Sequence, residues 1–151
     1  MAFAPDGGTL ALSEFAWGPR DVILLDVATG AVRSRLSGHQ SGINALTFSP
    51  DGRTLATAGP DRCIKLWDLA TGQERASLSD DVGWVKSIIF SPDSAWLAYS
   101  GRDATVRLWD LARHRPHPDG PLSSHTAQRE GFSSRADSQD WRRRSPLTPP
   151  S

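Results

Sequence analysis

Short stretches of the chain alternate between apolar and polar residues, and turns rich in glycine and proline separate them. In the stretch CIKLWD, Ile64 and Leu66 alternate with Lys65 and Trp67, which is the period of a β-strand. The stretch TLATAG before it is small and apolar, as in a strand packed on both faces. The stretch QERASL after it alternates but is polar, as in a solvated outer strand. No segment has room for a crossover helix, so the pattern predicts an all-β fold.

This pattern occurs three times along the chain. In the second copy Phe48 lies 19 residues before Trp67, and in the third copy Phe90 lies 19 residues before Trp109. A weaker first copy has Leu25 where the other two have tryptophan. Each copy predicts four short strands joined by tight turns, which is one blade of a propeller.

The copies resemble the WD40 repeat. The matching phrases are FSPDG, LATAGPDRCIKLWD and the pair Gly38-His39, and the resemblance covers roughly residues 1–112. It implies an incomplete β-propeller of up to three four-stranded antiparallel blades, whose loops form a binding platform. The expected blades are about residues 1–36, 43–78 and 85–112.

The resemblance also implies a structural hydrogen-bond chain in the middle copy. The matching residues are His39, Thr57, Asp61 and Trp67. A histidine, a hydroxyl and an aspartate could instead suggest nucleophilic catalysis. The structural interpretation is preferred, because a buried indole N–H and a buried imidazole both need partners.

The other two copies depart from this chain of hydrogen bonds. The third copy keeps Asp103 and Trp109, but Asp81 stands at the histidine position and Tyr99 at the hydroxyl position. The first copy has Leu25 for the tryptophan and no matching histidine. Only the middle blade is therefore expected to form the whole network and to be the most ordered.

Tryptophan and arginine residues are expected along one rim of the propeller, where the loops between strands two and three and the loops between blades open. Both residue types are frequent in binding hot spots. For Trp84, packing between blades is an equally good explanation. The candidate partner-binding residues are Trp17, Arg20, Arg62, Trp84 and Arg102.

Composition excludes several classes of protein. The 151 residues have no net charge, so nucleic acid is not an expected partner. Cys63 is the only cysteine, which fits a reducing compartment. No apolar run spans a membrane and the N-terminus is unlike a secretory signal, so a cytoplasmic location is expected. The pair His114-x-x-His117 has no further ligands and is interrupted by proline, so no metal or cofactor is expected.

Residues 113–151 differ from the repeats. They are rich in arginine, proline and serine, lack strand periodicity and are expected to form a disordered basic tail. The third blade is therefore expected to end near residue 112, with Gly120–His125 a poor candidate for its fourth strand. A fragment of a longer propeller is the favoured explanation of so few blades, because the tail lacks strand periodicity. A ring completed by other chains, including self-association, and a free-standing array are the alternatives.

The expected function is a non-catalytic scaffold for protein–protein interaction, in which the rim residues form the partner-binding surface. The alternative is a regulatory or sensor segment of a multidomain signalling enzyme whose catalytic domain lies outside this chain. A non-functional remnant is the third interpretation.

Overall fold

The computed structural model describes residues 1–13, 20–79, 83–116, 118 and 122–123. This part of the chain forms β-strands and no helix, which confirms the all-β expectation. The first blade contains β1 (Ala2–Phe3), β2 (Thr9–Ser13), β3 (Arg20–Asp26) and β4 (Val32–His39). The second contains β5 (Ala45–Phe48), β6 (Thr54–Ala58), β7 (Cys63–Asp68) and β8 (Gln73–Ser79). The third contains β9 (Ser87–Phe90), β10 (Trp96–Ser100), β11 (Thr105–Asp110), β12 (Arg115–Pro116) and β13 (Leu122–Ser123).

Each blade is an antiparallel sheet in which consecutive strands are neighbours. Tight turns make this possible because a residue in each turn that the structure describes within a blade adopts a left-handed conformation. Gly52 has φ of 69° between β5 and β6, and Ser94 has φ of 58° at the matching place in the third blade. The hydroxyl of Ser49 accepts a hydrogen bond from the Thr54 amide at 2.9 Å across the first of these turns.

The third blade continues past residue 112, contrary to the expectation that it lacks a good fourth strand. Both β12 and β13 pair with β11, on the edge that β10 leaves free. Trp109 lies opposite Pro116, whereas Val106 lies opposite Leu122, so extra residues interrupt the outer strand between its two pieces. The poor candidate around Gly120–His125 thus contributes two paired residues. Residues 124–151 of the predicted tail lie outside the described residues.

The core lies between blades rather than within them. Strand β1 contacts β5, and β5 contacts β9, so the first strands of the blades are adjacent. One apolar cluster joins blades 1 and 2; its members include Val22, Leu24, Leu36, Phe48, Leu55 and Trp67. A second joins blades 2 and 3; its members include Ile64, Leu66, Leu78, Phe90, Leu97 and Tyr99. Blade 2 is consequently covered on both faces.

Candidate functional site

The predicted hydrogen-bond chain forms, and it crosses from one blade to the next. His39 precedes β5, the first strand of blade 2, as the sequence suggested, and it is also the last residue of β4 in blade 1. Its Nδ1 lies 2.8 Å from Asp61 Oδ2, and its Nε2 lies 2.8 Å from Thr57 Oγ1. Trp67 Nε1 donates to the same Thr57 oxygen at 2.8 Å. The network therefore fastens blade 1 to blade 2.

One assignment of protons satisfies every member of this network. The indole N–H can only donate, so Thr57 Oγ1 accepts it and donates its own proton to His39 Nε2. The other ring nitrogen then donates to the Asp61 carboxylate, which makes His39 a neutral imidazole protonated at Nδ1. Asp61 also accepts the Gln40 amide at 3.2 Å, a contact that the sequence pattern did not indicate.

Burial argues against a catalytic use of this histidine, hydroxyl and carboxylate. Thr57 is 0 % exposed and His39 is 2 % exposed. The threonine oxygen already accepts one hydrogen bond and donates another, and its remaining lone pair is buried out of reach of a substrate. Within the described residues, no group of three histidine, cysteine, aspartate or glutamate side chains could hold a metal ion.

The corresponding place in blade 3 is arranged differently. Tyr99 is buried, with 2 % of its surface exposed. Trp109 Nε1 is buried without a hydrogen-bond partner among the described residues. Asp103 accepts the Thr105 amide at 3.1 Å and an Arg107 N–H at 2.8 Å. Although burial raises the pKa of Asp103, these hydrogen bonds outweigh it and leave that pKa below its ordinary value. Asp81 lies outside the described residues.

Two of the predicted rim residues come together in the structure. The Arg102 guanidinium lies 5.2 Å from the ring centre of Trp84, which is within the range of a cation–π contact. Trp84 is 50 % exposed, while Val85 beside it is completely buried between blades 2 and 3. Arg102 lies in the β10–β11 turn, one residue before Asp103, whose carboxylate binds the turn backbone. The sequence placed both residues on one rim but did not indicate their contact.

The structure describes the other three rim candidates to different extents. Arg62 is exposed in the β6–β7 turn with φ of 62°, next to the Asp61 of the network. Arg20 begins β3 and pairs with His39 through its backbone, but its side chain is not described. Trp17 lies outside the described residues. We define the rim as Arg62, Trp84 and Arg102.

The opposite end of the blades consists of turns stabilised by aspartates. The pKa of Asp26 is lowered to about 2. The largest cause is the hydrogen bond from the Arg33 guanidinium, and hydrogen bonds from Thr29 contribute next. The Thr71 amide lowers the pKa of Asp68 at the matching turn of blade 2. A cleft of about 740 Å³ lies between these turns, and residues such as Pro5 line it. These carboxylates are ionised at neutral pH and cap backbone amides, so they are poor general acids.

No helix that could cross a lipid bilayer is found among the residues that the structure describes.

Known proteins share both the sequence pattern and the fold of this chain. The family model for the WD domain, G-beta repeat, matches residues 30–68 and 72–110. The chain is 38% identical over 66 residues to WD repeat-containing protein SL1-17 of Schistosoma mansoni, covering 44% of this chain and 21% of that protein. It is 43% identical over 56 residues to WD repeat-containing protein 36 of Homo sapiens, covering 37% of this chain and 6% of that protein.

A solved structure titled "Structure of U3-55K" superposes with a TM-score of 0.74 at 19% identity, over 81% of this chain and 38% of that one. This likeness shows the propeller fold alone. The chain spans about a fifth or less of the length of the two sequence relatives. Since the two matched repeats cover just over half of the chain and its strands fold as blades, the chain belongs to the WD40 repeat family, whose propellers generally serve as protein-interaction scaffolds.

Proposed function

We propose that this chain is a non-catalytic scaffold that binds a protein partner through the rim of Arg62, Trp84 and Arg102. The observation that carries the proposal is the pair of Trp84 and Arg102, in which a half-exposed indole lies under a guanidinium 5.2 Å from its centre. Large exposed aromatic and arginine side chains supply most of the energy in many interfaces.

Buried neighbours hold the backbone of the rim in place. Buried Val85 fixes the chain beside the indole, and the Asp61 carboxylate that orders the turn around Arg62 belongs to the His39 network. Side chains that are already ordered lose little entropy on binding, so a larger part of the contact energy appears as affinity. A fitting partner surface has an apolar socket for the indole, with carboxylate or carbonyl oxygens that accept from the two arginines.

The test is capture of partners by the full chain carrying Trp84→Ala and Arg102→Ala together. The matched control is Val27→Ala with Arg53→Ala, which removes one exposed apolar residue and one arginine at the opposite end. Captured proteins are quantified by mass spectrometry, and the dissociation constant of each is then measured with purified components.

We expect the rim variant to weaken binding by more than about tenfold, since hot-spot residues contribute about 2 kcal/mol or more. The control variant should bind like the parent chain. Equal binding by the rim variant, with unchanged circular dichroism and melting temperature, would refute the proposed surface.

A further inference from the structure

A second cleft, of about 310 Å³, lies between blades 2 and 3 at the end of the blades opposite the rim. Its apolar lining includes Leu66, Phe90 and Leu111, which belong to or pack on the cluster between these blades. The exposed residues Arg53 and Arg75 also line it. We propose that this cleft is a second binding site, which holds the carboxylate of an aspartate or glutamate in an acidic segment of a protein partner.

Arg75 lacks the partners that hold the equivalent arginine of blade 1. The register places Arg33 and Arg75 at the same bulge, in the last strands of blades 1 and 2. Arg33 donates to Asp26 Oδ2 at 3.1 Å and to Thr9 Oγ1 at 2.7 Å. The Arg75 guanidinium makes no hydrogen bond or ion pair with a described residue. Its N–H groups are therefore available to a ligand in the cleft.

The counterparts of these two partners in blade 2 are Asp68 and Thr54. The Asp68 carboxylate accepts the Thr71 amide at 3.0 Å but no N–H of Arg75. Thr54 lines the cleft and is only 8 % exposed, and its hydroxyl makes no hydrogen bond with a described residue. Since nearly buried polar groups are normally hydrogen-bonded, this hydroxyl indicates that a polar ligand atom belongs beside it.

Two further residues of the cleft differ from their counterparts in the other blades. Arg53 stands in the β5–β6 turn at the position where blades 1 and 3 have Gly8 and Ala95. Its guanidinium makes no hydrogen bond or ion pair with a described residue either. His114 has φ of 53° at the turn position where blade 2 has Gly72, a conformation that is uncommon for residues other than glycine. Polar groups that depart from the repeat are thus concentrated at this cleft.

The charge in the cleft favours a ligand with one negative charge. Arg53 and Arg75 contribute two positive charges and Asp51 contributes one negative charge, which leaves one positive charge when His114 is neutral. The Ser49 hydroxyl donates to Asp51 and lowers the pKa of that carboxyl, so Asp51 is ionised at neutral pH. A carboxylate balances the remaining charge and fits the planar fork of a guanidinium, whereas a phosphate dianion exceeds it.

The size of the cleft favours a side chain of a protein over a free small molecule. Pockets for small molecules usually have roughly 300–1,000 Å³, so a cleft of about 310 Å³ is at the lower limit of that range. It has room for one acidic side chain and for an apolar neighbour against Phe90 and Leu111. Ser94 Oγ accepts the Asp51 amide at 3.3 Å, which joins the two blades and leaves the Ser94 hydroxyl proton to donate to the carboxylate.

The test selects short peptides of random sequence, displayed on phage, with the full chain and with its Arg75→Gln variant. Glutamine removes the charge but keeps a polar side chain of similar length. The matched control is Arg62→Gln at the rim, since this exposed guanidinium also makes no hydrogen bond or ion pair with a described residue. Selected peptides are then synthesised with glutamate, glutamine or phosphoserine at the acidic position, and their dissociation constants are measured by fluorescence anisotropy.

We expect the parent chain and Arg62→Gln to select peptides rich in aspartate and glutamate, and Arg75→Gln to lose this selection. Arg75→Gln should bind the glutamate peptides more than about tenfold more weakly than the parent, with unchanged circular dichroism. The glutamine peptides should bind both chains equally, because they lack the group that Arg75 contacts. Arg53→Gln is the second cleft variant in case Arg75→Gln fails to fold.

The proposal is overturned if the parent selects no acidic peptides, or if Arg75→Gln and Arg53→Gln bind them as tightly as the parent. Tighter binding of the phosphoserine peptides than of the glutamate peptides would also overturn it, because the site would then be one for phosphate.

The cleft and the rim are tested separately because they lie at opposite ends of the blades. A peptide bound in the cleft should keep its affinity for the variant with Trp84→Ala and Arg102→Ala. A protein bound at the rim should keep its affinity for Arg75→Gln and for the variant with Val27→Ala and Arg53→Ala. Failure of this inference therefore leaves the proposed function intact, and the reverse also holds.

Discussion

Replacing Thr57 by valine tests whether the buried network stabilises the junction of blades 1 and 2. Valine has nearly the shape of threonine, so it leaves no cavity, but it removes the acceptor of the Trp67 N–H and the donor to His39 Nε2. Each buried polar group left without a partner costs about 1–3 kcal/mol, so the two together should cost about 2–6 kcal/mol. This is a large part of the roughly 5–15 kcal/mol by which a domain is usually stable.

The assay is urea denaturation followed by circular dichroism and tryptophan fluorescence. Thr47→Val is the matched control, because the one hydrogen bond that the Thr47 hydroxyl makes within the described residues is long, at 3.5 Å to the Phe48 carbonyl. That variant should change the free energy of unfolding by less than about 0.5 kcal/mol. In a double-mutant cycle with His39→Ala, we expect a coupling of about 1 kcal/mol or more. If Thr57→Val were as stable as Thr47→Val, the network would not stabilise the fold.

Three further predictions follow from single positions. Trp67→Phe should destabilise the chain by at least about 1 kcal/mol more than Trp109→Phe. Of these two indole N–H groups, only that of Trp67 has a hydrogen-bond partner among the described residues; equal melting temperatures of the two variants would contradict this. Gly59→Ala should lower the free energy of unfolding by about 1–3 kcal/mol, since the new Cβ would lie 2.1 Å from the Gly42 carbonyl oxygen. Gly42→Ala is the control, because its Cβ would have no neighbour within 4 Å; equal unfolding midpoints of the two variants would show that the loop relieves the clash by moving. The lowered pKa of Asp26 stabilises the fold above the unfolded pKa of about 4, and this contribution is lost as the pH falls through the folded pKa of about 2. Asp26→Asn should therefore lower the melting temperature much more at pH 7 than at pH 2, and an equal difference at the two pH values would exclude ionisation as its cause.

The strands and their faces were largely predictable from the chain. Alternation in CIKLWD put Ile64 and Leu66 on one face and Trp67 on the other, and the structure buries the two faces against different blades. The equal spacing from Phe48 to Trp67 and from Phe90 to Trp109 predicted equivalent strands, which pair in the same register in blades 2 and 3. Local periodicity suffices here because each strand pairs with its neighbour in sequence.

Features that depend on contacts between blades were harder to predict. The family pattern indicated that His39 bonds Thr57, but the pattern does not show that His39 ends the last strand of the preceding blade. The outer strand of blade 3 was missed because Arg115–Pro116 and Leu122–Ser123 are too short to show alternation, and extra residues separate them. The contact of Trp84 with Arg102 depends on the geometry of two loops, for which the sequence contains no periodic signal.

We infer that blade 2, which is covered on both faces and joined to blade 1 by the His39 network, is the rigid platform beneath the rim. Hydrogen–deuterium exchange of the full chain tests this most directly, because amides in the least readily opened region exchange most slowly. We expect the slowest exchange in β6 and β7, and much faster exchange in β1 and β12, which are short and lie in the first and last of the described blades. Exchange in β6 and β7 as fast as in β1 and β12 would contradict it.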